Sequence, residues 1–346
     1  MQPADTMPVR AAHQFDVDRL EQWLRVNVRR YAGPLTVVQF QGGQSNPTYR
    51  LITPTRSYVL RRKPPGALVK GAHAVEREAR VMQALSLMGF PVPAIVGLCT
   101  DDAVIGTWFY VMDMIEGRIF WDATFPGTGA ERPRYFDAMN ATLAVLHRID
   151  YQAVGLGDFG RSGEYVQRQI ARWTRQYLED VQAGRNAHLD RLIEWLPANL
   201  PPDDETRIVH GDFRCDNMIF HPTEPRVIAV LDWELSTLGS PLADFAYHLM
   251  MYRLPPLGVA GLLGANLEAL RIPSEEEYVA AYCRRTARES IPDLKFYLAY
   301  NLFRFAAIVH GIKARALRGT AASENSERLV SALPVFAETA WQVAQA

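Results

Sequence analysis

The residues best equipped for chemistry fall between positions 209 and 234. Val209-His210-Gly211-Asp212-Phe213-Arg214-Cys215-Asp216-Asn217 puts a carboxylate and, a few residues later, an amide in one short polar stretch. Ile228-Ala229-Val230-Leu231-Asp232-Trp233-Glu234 then runs from apolar residues into a second carboxylate. A carboxylate such as Asp212 can accept a proton from an attacking hydroxyl if it lies within hydrogen-bond reach. The amide oxygen of Asn217 and the carboxylate of Asp232 are hard oxygen ligands, suited to Mg²⁺ held against phosphate groups. His210 reads as a loop anchor, Cys215 as a variable loop position, and Asp216 and Glu234 as auxiliary ligands of metal or solvent.

Those side chains need a frame. Arg207-Ile208-Val209 leads into the loop and Met218-Ile219-Phe220 leaves it. Residues 227–231 are apolar and largely β-branched, a buried strand that delivers Asp232 at its end. Upstream, residues 15–30 read as a helix capped by Asp16, with Val17, Leu20, Trp23, Leu24 and Val28 at helical spacing. Strands at 35–40 and 47–52 flank the small polar tip 41–46. Gly42, Gly43, Gln44 and Ser45 in that tip offer backbone N–H groups and a hydroxyl that can approach phosphates closely. Residues 57–62 form the next strand. Residues 73–87 form a helix in which Glu78 sits beside the apolar face, where a carboxylate needs a partner. Residues 107–112 form another strand, followed by Asp113-Met114-Ile115-Glu116-Gly117. Helical patterns cover 135–149, 163–181, 241–252, 275–287 and 294–316. The last of these carries Arg304, His310 and Arg315, which suit either an anionic acceptor or a solvated basic face.

Composition bounds the possibilities. The chain has 346 residues, 48% hydrophobic and 22% charged, enough for two lobes with their own cores. A net charge of −1 gives no basic footprint for nucleic acid. Cys99, Cys215 and Cys283 are scattered, which fits neither a disulfide framework nor a zinc cluster. No apolar run approaches the roughly 18 residues of a membrane span, and the N-terminus lacks a signal-peptide core. A cytoplasmic protein with no membrane partner is expected.

The order H-G-D-x-x-x-x-N followed by a strand ending in D-W-E resembles the aminoglycoside phosphotransferase and choline kinase family, relatives of the protein kinases. The protein-kinase pattern H-R-D-L-x-x-x-N with a later metal-binding Asp has the same logic. Here Gly replaces Arg, Phe replaces Leu and D-W-E replaces D-F-G. The resemblance runs from about Phe40 to the C-terminus. It implies an α+β, bilobal protein-kinase-like fold: a small antiparallel-sheet N-terminal lobe with helices (residues 1–114) and a larger, mainly helical C-terminal lobe (115–346).

For the site, the resemblance implies Asp212 as catalytic base, Asn217 and Asp232 as Mg²⁺ ligands, and ATP as phosphoryl donor. Residues 42–45 would cover the phosphates and the backbone of Asp113 to Ile115 would meet the adenine. The family's basic strand residue is usually Lys; Arg61 is the best match, paired with Glu78, and Lys63 is its rival. Arg keeps the role because its guanidinium is always charged and binds phosphate in a bidentate way. Asp244 resembles a position that supports the catalytic loop. Residues 58–66 and 109–118 look most like one branch, the kinase-like domains joined to acyl-CoA dehydrogenases. That implies phosphorylation of a hydroxyl on a small-molecule acceptor such as a hydroxyacyl-CoA, and speaks against aminoglycoside resistance. Two alternatives stay open: a nucleotide-binding module without catalysis, and a metal-dependent hydrolase using His210, Asp212 and Asp232.

Overall fold

The computed structural model describes residues 6–41, 46–66, 73–202, 205–319 and 324–346. The chain forms two compact units. Unit 1 comprises residues 1–118, 154–156 and 219–236, and unit 2 comprises 119–153, 157–218 and 237–346.

Unit 1 begins with β1 (Thr6–Met7), α1 (Val17–Asn27), β2 (Thr36–Phe40), β3 (Thr48–Ile52) and β4 (Ser57–Arg62). It continues with α2 (Val75–Leu87), β5 (Ile95–Cys99), α3 (Asp102–Ile105) and β6 (Phe109–Asp113). The strands pair antiparallel in one six-stranded sheet, ordered β1-β2-β3-β4-β6-β5. Asp16 caps α1 by accepting from the Arg19 amide, satisfying one of the donors a helix start leaves open. Leu20, Leu24 and Val28 bury against Tyr49, Leu51, Tyr58, Leu60, Phe109 and Val111 of the sheet. Val17, expected on the same face, is exposed. β5 was not legible in the sequence, because Gly97 interrupts its apolar run. A side chain at Gly97 would collide with the Trp23 ring at 2.8 Å, so the glycine lets α1 approach the sheet.

Unit 2 holds α4 (Arg132–Arg148), α5 (Tyr165–Glu179), α6 (Ala187–Ala198) and β7 (Arg207–Val209). β8 (Met218–Phe220) and β9 (Val227–Val230) pair with each other; residues 219–236 belong to unit 1. Unit 2 then continues with β10 (Thr237–Gly239), which pairs antiparallel with β7, and α7 (Pro241–Leu249). α8 (Leu267–Leu270), α9 (Glu275–Arg285), α10 (Leu294–Leu317) and α11 (Glu324–Gln345) complete it. α10 is buried around most of its circumference, which marks it as the core of the helical unit. Asn301 on α10 donates to the carbonyl of Ala243 at 2.8 Å, tying that core to α7. The architecture is mixed α+β, with an N-terminal antiparallel sheet and a mostly helical C-terminal region.

Candidate functional site

Unit 1 gathers three carboxylates around one guanidinium. Arg61 sits near the end of β4, in register with Thr48 and Tyr110 on the neighbouring strands. Its Nε lies 3.1 Å from Glu78 Oε2, so the two residues expected to pair form an ion pair. Its Nη2 donates to Asp232 Oδ1 at 2.9 Å and to Glu234 Oε2 at 3.0 Å. Tyr110 donates its hydroxyl to Glu78 Oε2 at 3.1 Å. Buried Asn46 donates to Glu78 Oε1 at 3.2 Å, and its own oxygen accepts from His73 Nδ1 at 3.0 Å. Residues 42–45, expected to cover phosphates, lie outside the described residues; Asn46 follows them directly. Lys63, the rival to Arg61, lies 2.8 Å from Glu76 and 4.2 Å from the centre of the Trp108 ring.

One guanidinium cannot neutralise three carboxylates. Burial pushes the Glu78 carboxyl up to about 7; Arg61 works against this, and the charges of Asp232 and Glu234 add to it. Burial alone would weaken the Arg61 cation, but Glu78, Tyr110, Asp232 and Glu234 outweigh it and hold Arg61 above its ordinary value.

Asp232 follows β9 in the left-handed backbone region, φ 65°, a conformation that costs free energy in a non-glycine residue and must be held by its surroundings. Trp233 does the holding: it is buried, donates Nε1–H to the Val230 carbonyl at 3.0 Å and meets the Phe90 ring edge-on. A cavity of about 450 Å³, also in unit 1, is lined by Thr53, Arg56, Ser57 and residues 113–116. Both expected adenine contacts, Asp113 and Ile115, are on its wall. The Asp113 amide already donates to the Ala94 carbonyl at 2.9 Å.

Unit 2 inverts the arrangement, with several donors around one carboxylate. The loop after β7 turns at Gly211, φ 84°, where a side chain would be strained. Asp244 on α7 accepts from the amides of His210 and Gly211, both at 2.8 Å. Burial would raise the Asp244 carboxyl, but the hydrogen bond from His147 and the bond to His210 hold it below its ordinary value. Arg304 on α10 donates to the Gly211 carbonyl at 2.7 Å. His248 donates Nδ1–H to the Phe213 carbonyl at 3.1 Å; burial lowers its pKa to about 4, so the ring stays neutral and Nε2 can accept from Tyr278. His210 is fully buried and its Nδ1 accepts from the Asp212 amide at 3.2 Å, as suits a loop anchor.

On this fixed backbone, Asp212 Oδ1 accepts from the Tyr247 hydroxyl at 2.5 Å and lies 3.0 Å from Arg214 Nε. Arg214 also lies 3.2 Å from Asp216. Asn217 donates Nδ2–H to the Asp212 carbonyl at 2.9 Å and to Oδ2 at 3.0 Å. Thus Asp212 and Asn217 are brought together in unit 2, and Arg61, Glu78 and Asp232 in unit 1. Burial, then the charge of Asp216, pushes the Cys215 thiol up to about 12, so it is no thiolate nucleophile.

The Phosphotransferase enzyme family model matches residues 36–288. The chain belongs to this family. It is 46% identical to chicken acyl-CoA dehydrogenase family member 11 over 96% of this chain and 44% of that protein. It is 42% identical to mouse acyl-CoA dehydrogenase family member 10 over 98% of this chain and 32% of that protein. The chain thus spans a third to under half the length of these relatives. A solved putative aminoglycoside phosphotransferase from Ralstonia eutropha JMP134 is 47% identical, with a TM-score of 0.88 over 96% of this chain and 99% of that one. Spectinomycin phosphotransferase in complex with ADP and spectinomycin, 12% identical, shares the fold with a TM-score of 0.64 over 96% of this chain and 99% of that one.

The available donors suit Mg²⁺. Because Asn217 turns its nitrogen to Asp212, its oxygen is left facing away, with no hydrogen bond among the described residues. Asp232 keeps Oδ2 free of hydrogen bonds among the described residues. Among the described residues no group of three or more His, Cys, Asp or Glu side chains could hold a metal. Mg²⁺ usually relies on one or two protein oxygens plus phosphates and water rather than on a full protein cage.

Several residues of the candidate site escaped sequence reasoning. Arg214 stood inside the motif, two places past Asp212, and could have been found there. Tyr247, Tyr110 and Asn46 carried no local signal. Arg304, expected in an acceptor pocket or on a solvated face, is buried and fixes the loop. His310 is likewise buried and donates to the Gly184 carbonyl at 2.7 Å.

Proposed function

We propose that this phosphotransferase-family chain is an ATP-dependent, Mg²⁺-requiring kinase that phosphorylates a hydroxyl of a small-molecule acceptor. The observation that carries this reading is the fixed Asp212–Asn217 pair, in which one side chain is an oriented base and the other presents an amide oxygen. Asp212 accepts the acceptor's hydroxyl proton as the new O–P bond forms. The bond from the γ-phosphorus to its bridging oxygen breaks, and ADP leaves with the electron pair. Mg²⁺, when bound, supplies charge neutralisation at the phosphates; Asn217 and Asp232 are its proposed ligands. Arg61, held by Glu78, steadies the phosphates, and residues 42–45 cover them. The adenine edge is assigned to the stretch from Asp113 to Ile115, with Met114 and Ile115 supplying the open backbone groups.

The acceptor class we propose is a hydroxyacyl-CoA or a related metabolite. Support comes from the similarity to acyl-CoA dehydrogenase family members 10 and 11.

The test is incubation with ATP, Mg²⁺ and a panel of hydroxyacyl-CoAs, aminoglycosides, choline and sugars, followed by mass detection of a phosphate-sized shift in one class. Nucleotide binding without a shifted product across the panel would favour a non-catalytic module. Phosphate release without an acceptor would favour a hydrolase.

A further inference from the structure

The environment of the Asp212 carboxylate is asymmetric. Oδ1 accepts the Tyr247 hydroxyl at 2.5 Å and has the Arg214 cation beside it, with Nε at 3.0 Å. Oδ2 carries one hydrogen bond, from Asn217 at 3.0 Å. A carboxylate oxygen has about two lone-pair sites for donors. Arg214 Nε makes an ionic contact rather than a hydrogen bond, so Oδ1 carries one hydrogen bond and the neighbouring cation, while Oδ2 carries one hydrogen bond and no cation.

The two groups beside Oδ1 are themselves anchored. Tyr247 projects from α7, the helix whose Asp244 also holds the loop backbone. Its ring lies 4.8 Å from the guanidinium of Arg304, which donates to the loop carbonyl at Gly211. Arg214 is braced on its far side by Asp216 at 3.2 Å. Burial, then the charge of Asp212, raises the Tyr247 phenol above its ordinary value, so it remains a donor. Such an arrangement limits how Asp212 can rotate, and rotation decides which oxygen faces the acceptor.

We propose that Tyr247, seconded by Arg214, is the positioning residue of the proposed transfer reaction: it occupies Oδ1 of Asp212 and so assigns Oδ2 as the atom that receives the acceptor's proton. This rests on the reading of Asp212 as the base. In the step, the acceptor O–H bond breaks, the proton goes to Oδ2, and the acceptor oxygen bonds to phosphorus as ADP departs. Tyr247 donates throughout and loses no proton.

The experiment uses the full chain with whichever acceptor of the panel above the wild type phosphorylates fastest. Tyr247→Phe keeps the ring against Arg304 and deletes only the hydroxyl. A misaimed base costs rate rather than nucleotide binding, so kcat should fall by about 100-fold while the KM for ATP stays at the wild-type value. In an Asp212→Asn background, Tyr247→Phe should leave the residual rate unchanged, because its effect passes through that carboxylate. A purely structural tyrosine would lower both rates alike. Arg214→Gln should also reduce kcat, by less than Tyr247→Phe.

Wild-type kcat in Tyr247→Phe, or an equal loss in both backgrounds, overturns the assignment. The underlying reading fails separately. If Asp212→Asn turns over like the wild type, or no acceptor is phosphorylated at all, the base itself is misassigned and the clamp falls with it. An inactive Asp212→Asn with a fully active Tyr247→Phe removes the clamp alone.

Discussion

The two units handle charge in opposite ways. In unit 1 a single cation, Arg61, faces Glu78, Asp232 and Glu234, so acceptors outnumber the charge that can satisfy them. In unit 2 a single carboxylate, Asp212, faces Tyr247, Arg214 and Asn217, so donors surround one acceptor. The first arrangement keeps surplus negative charge where a further cation would be welcome. The second fixes one carboxylate in direction. Cation binding and proton acceptance make these different demands, and the proposed kinase reading takes its base from unit 2 and the carboxylate ligand of its cation from unit 1.

Substitution can separate the two. The largest effect in unit 1 is expected from Asp232→Ala. Loss of an outer partner of a metal ligand already costs 10–100-fold in affinity, so loss of the ligand should weaken ADP binding in Mg²⁺ by at least about 100-fold. Binding in excess chelator should change little, and calorimetry in both buffers measures the pair. Equal loss with and without Mg²⁺ would mean Asp232 serves Arg61 and not a metal.

A smaller effect concerns stability. The Glu78 carboxyl is raised from 4.5 to about 7 in the folded chain. Between those values the folded state binds a proton that the unfolded state has lost. Its contribution is therefore complete below about 4.5 and disappears as pH rises through about 7. One pKa unit corresponds to about 1.4 kcal/mol, so a change on the order of 2–3 kcal/mol is expected across that window. Glu78→Gln should flatten this dependence in denaturant titrations at pH 5 and pH 8. A variant whose stability falls with pH as steeply as the wild type would contradict the charge-surplus account of unit 1.

The sequence disclosed what short spacing can carry. Asp212 and Asn217 share a loop, so their proximity was visible in the motif. That Glu78 needs a counter-charge was visible because a carboxylate sits beside an apolar helix face; that Arg61 supplies it was implied by the resemblance to kinases. The packed strands and amphipathic helices followed from alternation and helical spacing, as in α1 and β4. Other features depend on contacts that no local pattern encodes. Tyr247 reaches Asp212 from a helix 35 positions away, and Arg304 reaches Gly211 from 93 positions away. Gly97 hid β5, and α6 carries Pro197 near its end, which reads as a break. Trp233 looked like a departure from D-F-G, yet it holds the left-handed turn at Asp232.

The central claim is that Asp212 accepts a proton during phosphoryl transfer without contributing to nucleotide affinity. Its most direct test is the Asp212→Asn variant, with phosphorylated product measured by mass and ADP affinity by calorimetry. General-base catalysis contributes about 10²–10⁴-fold, so transfer should fall by about 1000-fold while ADP affinity stays at the wild-type level. Full turnover by the variant, or loss of nucleotide binding in step with loss of transfer, would contradict the account.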